Sequence, residues 1–155
     1  MKQLFQTMNT GIRIVVAEDD KTSRVMLNAI LRKWGYDVVA AKDGMECLEM
    51  ICTSTLPTIG LLDWYLPDIT GATICQSLRK MRIDQPVHLV LMTTVSDGTE
   101  GLRSIENGAD DFLAKPYSIP DLNAHMLKAE RHLDLQQQLR LLEWPEPKSP
   151  FPFLE

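Results

Sequence analysis

The chain has 155 residues, 45% hydrophobic and 24% charged, the balance of a soluble globular protein long enough to bury one core. Its 16 basic and 21 acidic residues leave a net charge of −5, which argues against wholesale binding to nucleic acid or to an anionic membrane. No apolar run reaches the ~18 residues that span a bilayer, the opening MKQLFQTMNTG has too short an apolar stretch for a signal peptide, and the odd trio Cys47, Cys52 and Cys75 lacks metal-ligand spacing and reads as reduced thiols of a cytoplasmic protein.

Residues 1–11 form an extension. The β-branched run IRIVVA (12–17) predicts a first strand. Residues 21–34 follow with Val25, Met26, Ala29, Ile30 and Trp34 at helical spacing, closed by Gly35. YDVVAA (36–41) is a second strand. Asp43 begins a helix carrying Met45, Leu48, Met50 and Ile51. Residues 58–63 are a third strand, and 71–81 a helix with Ile74, Cys75, Leu78 and Met81 on one face. VHLVLM (87–92) is a fourth strand, 98–107 a short helix ended by Gly108, and 111–115 a short fifth strand. Ser118-Ile119-Pro120-Asp121 has the form of a capping box with proline in the first turn. The helix it starts carries Leu122, Met126, Ala129 and Leu133, then an offset stripe of Leu135, Leu139 and Leu142, to about residue 143. That stripe is either the start of a coiled coil or a face that packs back on the domain. Pro145, Pro147, Pro150 and Pro152 exclude a helix in 144–155, which reads as a tail or linker. The closing Leu154-Glu155 reads as a cloning remnant, which implies a longer natural chain.

Strands alternating with helices imply an α/β fold, a parallel sheet covered on both faces. Right-handed crossovers place all strand C-termini at one edge, where sites form. Glu18-Asp19-Asp20 follow the first strand, Asp63 ends the third, Thr93 and Thr94 end the fourth, and Lys115 ends the fifth. If strands one and three are neighbours, their ends lie ~4.8 Å apart. Their carboxylates then repel, so either one is neutral or a divalent cation holds them. Oxygen ligands with no His or Cys nearby suit Mg²⁺.

Each residue also has a structural role to fill. Asp19 or Asp20 can cap the first helix. Asp63 and Asp68 can form turns. Thr93 can be a strand-end hydroxyl, Lys115 a solvated charge, Phe112 core and the methionines core filler. None of His88, His125 and His132 stands out as a ligand. It is the convergence of acids, hydroxyl and lysine on one edge that favours a site.

The segments IVVAEDD, LLDWYLPDITG (the pattern D-x-x-L-P-x-x-x-G), VLMTT and GADDFLAKP stand in fixed order, with 44 residues from Asp19 to Asp63, 30 more to Thr93 and 22 more to Lys115. In this they resemble the receiver domain of bacterial two-component response regulators, over roughly 12–128. The resemblance implies a flavodoxin-like, doubly wound five-stranded sheet of order 2-1-3-4-5, with a receiver domain over 12–130 and an extended helix over 131–143. It implies that Asp63 accepts a phosphoryl group from a sensor histidine kinase or phosphotransfer protein, and that Glu18, Asp19, Asp63 and the Tyr65 carbonyl bind Mg²⁺. Thr93 and Lys115 would contact the phosphoryl group, and Thr93 with Phe112 would switch. Phe112 stands where the family more often has Tyr, so any hydroxyl bond of that switch is absent. An X-Pro bond after Lys115 is typically cis in the family. Phosphorylation would shift the face of the 98–107 helix, the fifth strand and the last helix, changing homodimer or partner contacts; no effector is identified. Such a domain catalyses only its own phosphorylation and dephosphorylation.

Three other classes compete. A flavodoxin would need a donor-rich loop after strand one, where Glu-Asp-Asp instead repels phosphate. A haloacid-dehalogenase-type phosphatase wants a second Asp two residues after its nucleophile, where Tyr65 stands. A receiver-like docking module would not need the full set of acids, Thr93 and Lys115. No P-loop pattern is present. Tyr65 and Thr94 are bulkier than the residues the family often places there, which predicts a slow attack by water on a phosphorylated Asp63. Tyr65→Asn with Thr94→Ala should shorten the lifetime of the phosphorylated form, followed by loss of bound phosphoryl over time; an unchanged lifetime refutes the steric account.

Overall fold

In a computed structural model, which describes residues 11–94 and 106–142, the sheet has five parallel strands in order β2-β1-β3-β4-β5. The strands are β1 (Arg13–Ala17), β2 (Asp37–Ala41), β3 (Thr58–Asp63), β4 (Val87–Thr94) and β5 (Asp111–Lys115). The helices are α1 (Lys21–Lys33), α2 (Gly44–Cys52), α3 (Gly71–Lys80) and α4 (Ile119–Leu142). The predicted 98–107 helix falls outside the described residues except for its last two, as do residues 1–10 and the proline-rich 144–155.

The central strands are buried on both sides, as continuous apolar runs require. On one face Ile14, Val16, Ile59, Leu61, Val90 and Met92 meet Leu27 and Leu31 of α1 and the α4 stripe Leu122, Met126, Ala129 and Leu133. On the other, Val15, Leu62, Leu89 and Leu91 meet Cys47 and Ile51 of α2 and Ile74, Cys75 and Leu78 of α3. All three cysteines are free thiols, and Cys47 and Cys75 are buried. No helix among the described residues is long and apolar enough to cross a membrane.

Side-chain caps fix where the helices start. Asp20 accepts from the Ser23 N–H at 2.8 Å, Asp43 from Glu46 at 2.9 Å, Thr70 from Thr73 at 3.1 Å, and Ser118 from Asp121 at 3.1 Å. The Asp121 carboxylate completes the expected box by accepting from the Ser118 N–H at 3.4 Å. Gly35, at φ 96°, lets the chain turn out of α1 into β2.

Four expectations need correction. The apolar spacing of α1 named Val25, Met26 and Ala29, yet all three are exposed, and the buried face is Leu27 and Leu31. The helix is apolar over much of its circumference, so spacing alone does not select the face. Met45 and Met81 are likewise exposed. β4 runs two residues beyond its predicted end, because Thr93 and Thr94 pair with Ala114 and Lys115. Asp68 is more than a turn residue: its carboxylate accepts from the N–H groups of Gly44 at 2.7 Å and Met45 at 2.9 Å. It therefore caps α2 from the loop after β3, and those bonds hold its pKa below the ordinary carboxylate value.

That loop closes tightly under the sheet edge. The Trp64 N–H donates to Met92 O at 2.9 Å and the Gly71 N–H to Trp64 O at 2.8 Å. A Cβ on Gly71 would lie 2.4 Å from the backbone oxygen of Asp63 and 2.8 Å from Leu91 Cδ2. Gly71→Ala should therefore destabilise the fold by ~1–3 kcal/mol, the usual cost of overpacking, measured by urea denaturation; a stability within ~0.5 kcal/mol of the parent would show that the loop gives way freely.

Candidate functional site at the sheet edge

Register delivers the site. Ala17 pairs with Leu62, so Glu18 comes level with Asp63, and Asp63 pairs with Met92, just before Thr93. β5 lies two strands from β3, about 9.6 Å away, a gap crossed by the long lysine stem and the Asp63 side chain together. The Lys115 Nζ lies 2.8 Å from Glu18 Oε2 and 3.2 Å from Asp63 Oδ2.

Glu18 is almost fully buried and fully engaged. Its Oε2 takes the lysine, and its Oε1 accepts from the Asp20 N–H at 3.1 Å. Arg24 braces the same loop by donating to the carbonyl oxygens of Glu18 at 2.8 Å and Asp19 at 3.2 Å. Asp19 follows in that loop with its residue exposed, while Asp20 caps α1. The Lys115–Pro116 peptide is cis.

Asp63 is less well satisfied. Burial raises its pKa, the Glu18 charge raises it further, and Lys115 only partly opposes them. For Lys115, burial acts to lower the pKa, but the bond to Glu18 and the charge of Asp63 outweigh it and the net direction is upward. The ammonium is thus firmly protonated between two carboxylates.

The remaining predicted residues surround this trio. Thr93 is buried, its hydroxyl 3.4 Å from Thr94 O, and Thr94 is exposed. Phe112 is half-buried against the α2–α3 face of the core, paired across the strands with Leu91. Tyr65 is 67% exposed. Among the described residues, the one set of three ligand-type side chains with atoms all within 4.8 Å of one another is His88, Asp110 and His132, far from this edge. Glu18, Asp19 and Asp63 do not form such a set here; Lys115 occupies the space between two of them.

Beside the trio, Met26, Ile30, Lys115, Pro116, Tyr117 and Ile119 line a groove of about 470 Å³. Met26 and Ile119 are exposed on its rim, and Val25 is exposed next to Met26. Sequence reasoning missed this groove because it assigned Val25 and Met26 to the core.

The raised pKa of Asp63 has a consequence for stability. Protonated Asp63 favours the fold below its unfolded pKa, and that contribution is lost as pH rises through the folded value. Near neutral pH and without divalent metal, the ionised carboxylate is therefore a burden that an amide does not carry. Asp63→Asn should be more stable than the parent at neutral pH in chelator, and the gain should vanish as pH falls below the carboxylate range. Denaturant midpoints over a pH series measure this; a neutral-pH loss of stability would show that attraction to Lys115 outweighs desolvation.

Residues 14–127 match the family model described as the response regulator receiver domain. The chain is 34% identical over 122 residues to the probable transcriptional regulator ycf27 of Porphyridium aerugineum, covering 79% of this chain and 49% of the relative. It is 35% identical over 126 residues to the response regulator MprA of Mycobacterium ulcerans, covering 81% and 53%. The chain thus spans about half the length of these curated relatives. Among solved structures, the Francisella response regulator 1452 receiver domain superposes with a TM-score of 0.70 at 26% identity, covering 77% of this chain and 96% of that one. A probable two-component response regulator/GGDEF domain protein gives 0.74 at 26%, covering 85% and 52%.

Proposed function

This chain belongs to the response regulator receiver domain family, and on that footing we propose that it is a switch thrown by phosphorylation of Asp63. The observation that carries the reading is the contact of one ammonium with both Glu18 and Asp63 at the C-terminal edge of the sheet. A nucleophilic carboxylate must be ionised and reachable. Lys115 opposes protonation of Asp63, and the partial exposure of Asp63 leaves an oxygen accessible. In the transfer, an Asp63 oxygen forms a bond to phosphorus as the phosphorus–nitrogen bond to the donor's histidine breaks, and the imidazole keeps the electron pair.

The donor set fits Mg²⁺: hard carboxylate oxygens in a pocket negative enough to draw in a lysine. Glu18, Asp19 and Asp63, with the Tyr65 carbonyl, would hold the ion, which supplies positive charge against the oxygens of the transferred group. Lys115 stands within reach of Asp63 to meet the added negative charge. The buried Thr93 hydroxyl would donate to a phosphoryl oxygen, and Phe112 on the same face of the sheet would repack without any hydroxyl of its own. The altered face would be that of β5, α4 and the 98–107 segment, read out as a homodimer or by an effector.

The donor would be a sensor histidine kinase or phosphotransfer protein seated on the groove beside α1. The support is its lining by Lys115, which contacts Asp63, its exposed apolar rim of Met26 and Ile119, and the exposed Val25 next to Met26. One solved neighbour is the receiver domain of Ssk1 from Saccharomyces cerevisiae bound to the phosphotransfer protein Ypd1.

Incubation with acetyl phosphate or beryllofluoride tests the proposal. The wild-type chain should take up one group with Mg²⁺ and none in chelator, and Asp63→Asn should take up none, by intact mass for the phosphoryl group and by fluorine NMR for beryllofluoride. Uptake that survives Asp63→Asn or chelator overturns the assignment. Steady turnover of a generic phosphate ester would make the chain a phosphatase instead.

A further inference from the structure

The chain has three histidines, and the fold brings two of them together, edge to face, at the edge of the sheet opposite Asp63. His88 stands on β4 and His132 on α4, with their Nδ1 atoms 2.7 Å apart. Asp110, just before β5, places Oδ1 3.9 Å from His132 Nδ1. We propose that His88, His132 and Asp110 form a binding site for a divalent transition-metal ion of the zinc class, which clamps α4 to the sheet.

The strand around His88 is otherwise apolar, and Val90 and Met92 on the same face are core. His88 is 2% exposed, yet its Nε2 has no hydrogen-bond partner among the described residues. A leucine would fill this position without an unsatisfied nitrogen; what the imidazole adds is a second nitrogen, Nδ1, turned to His132.

The partners are oriented as ligands commonly are. Gln136 lies one turn along α4 with its side-chain amide 3.1 Å from His132 Nε2; with its carbonyl oxygen turned to that nitrogen, it would accept the Nε2–H and leave the Nδ1 lone pair facing His88. Asp110 Oδ2 is held by the Leu89 N–H at 2.8 Å and by Arg79, which leaves Oδ1 turned to His132. Two imidazole nitrogens and a carboxylate oxygen suit Zn²⁺ better than Mg²⁺, and three protein ligands leave a fourth position for water. Ligand atoms on one tetrahedral Zn²⁺ lie about 3.3 Å apart. That value falls between the 2.7 Å and 3.9 Å from His132 to its two partners, and all three ligand atoms lie within 4.8 Å of one another, so closing the site calls for small side-chain shifts of His132 and Asp110. The partly exposed His132 side chain gives an ion access from solvent. The position is distinct from the phosphoacceptor edge, since Thr93 lies five residues along β4 from His88, about 16 Å.

The probe is Zn²⁺ itself, titrated into the chain with excess Mg²⁺ to occupy the acidic pocket and with Cys52→Ser to remove the exposed thiol. One equivalent should bind in competition with a chromophoric chelator, raise the thermal midpoint and shift the ring-nitrogen NMR signals of His88 and His132 but not of His125. His132→Ala, on a partly exposed helix position, should lose that equivalent, and Gln136→Ala should weaken it about tenfold. No zinc binding by the parent, or binding unchanged by His132→Ala, overturns the site.

Discussion

The arrangement at the sheet edge rests on how unequally Lys115 serves two acids. Glu18 is nearly buried, takes the shorter contact, and has its second oxygen on a backbone N–H. Asp63 takes the longer contact and carries the raised pKa. A carboxylate with both oxygens engaged is a fixed charge; one with a single distant partner can form a new bond. The same lysine therefore makes one acid part of the frame and leaves the other available. The asymmetry is built by the strands: Glu18 is tucked under the Arg24-braced turn after β1, while Asp63 ends β3 beside a loop closed over Gly71.

The edge also explains why the sheet and the last helix belong to one mechanical unit. β5 is only five residues long, and both of its ends are engaged. Lys115 at one end holds Glu18 and Asp63. Asp111 at the other accepts from His125 at 2.6 Å and Lys128 at 2.9 Å, both on α4. Burial acts to raise the pKa of Asp111, and those two cationic-side partners more than reverse it. Tyr36, just before β2, adds a further tie by donating to Glu130. α4 is thus tied to the sheet by polar contacts along its length, with Leu122, Met126, Ala129 and Leu133 as the apolar seam between them.

How much of this could be read from the residues follows from the range of each interaction. The strands were legible because parallel strands buried on both faces leave unbroken apolar runs, and the helix starts at Asp20, Asp43 and Ser118 because these side chains act three residues away. Long-range partners were not. Asp68 bonds Gly44 and Met45 from 24 and 23 residues on, and nothing local in LPDITG announces it. The approach of His88 to His132 spans 44 residues and depends on α4 packing over β4. The α1 face was misread for a different reason: it has apolar residues on both its buried and its exposed sides, and in the proposed switch the exposed ones meet a partner. A pattern that mixes core with contact surface cannot be divided by periodicity alone.

On α4, most of the exposed apolar residues lie towards its two ends. At its start, Ile119 borders the groove beside Lys115 with Met26 across from it. At its end, Leu135, Leu139, Leu141 and Leu142 are all largely exposed. The helix has 24 residues, about 36 Å of continuous backbone. In the proposed switch a donor must bring its phosphoryl group to Asp63, so the surface that receives it has to lie at the first end. The leucines at the second end are too far away for that task and sit where the chain leaves the sheet. In the proposed switch, input and output are therefore separated along a single rigid element, and a small rotation of α4 on its apolar seam would move the leucine end most.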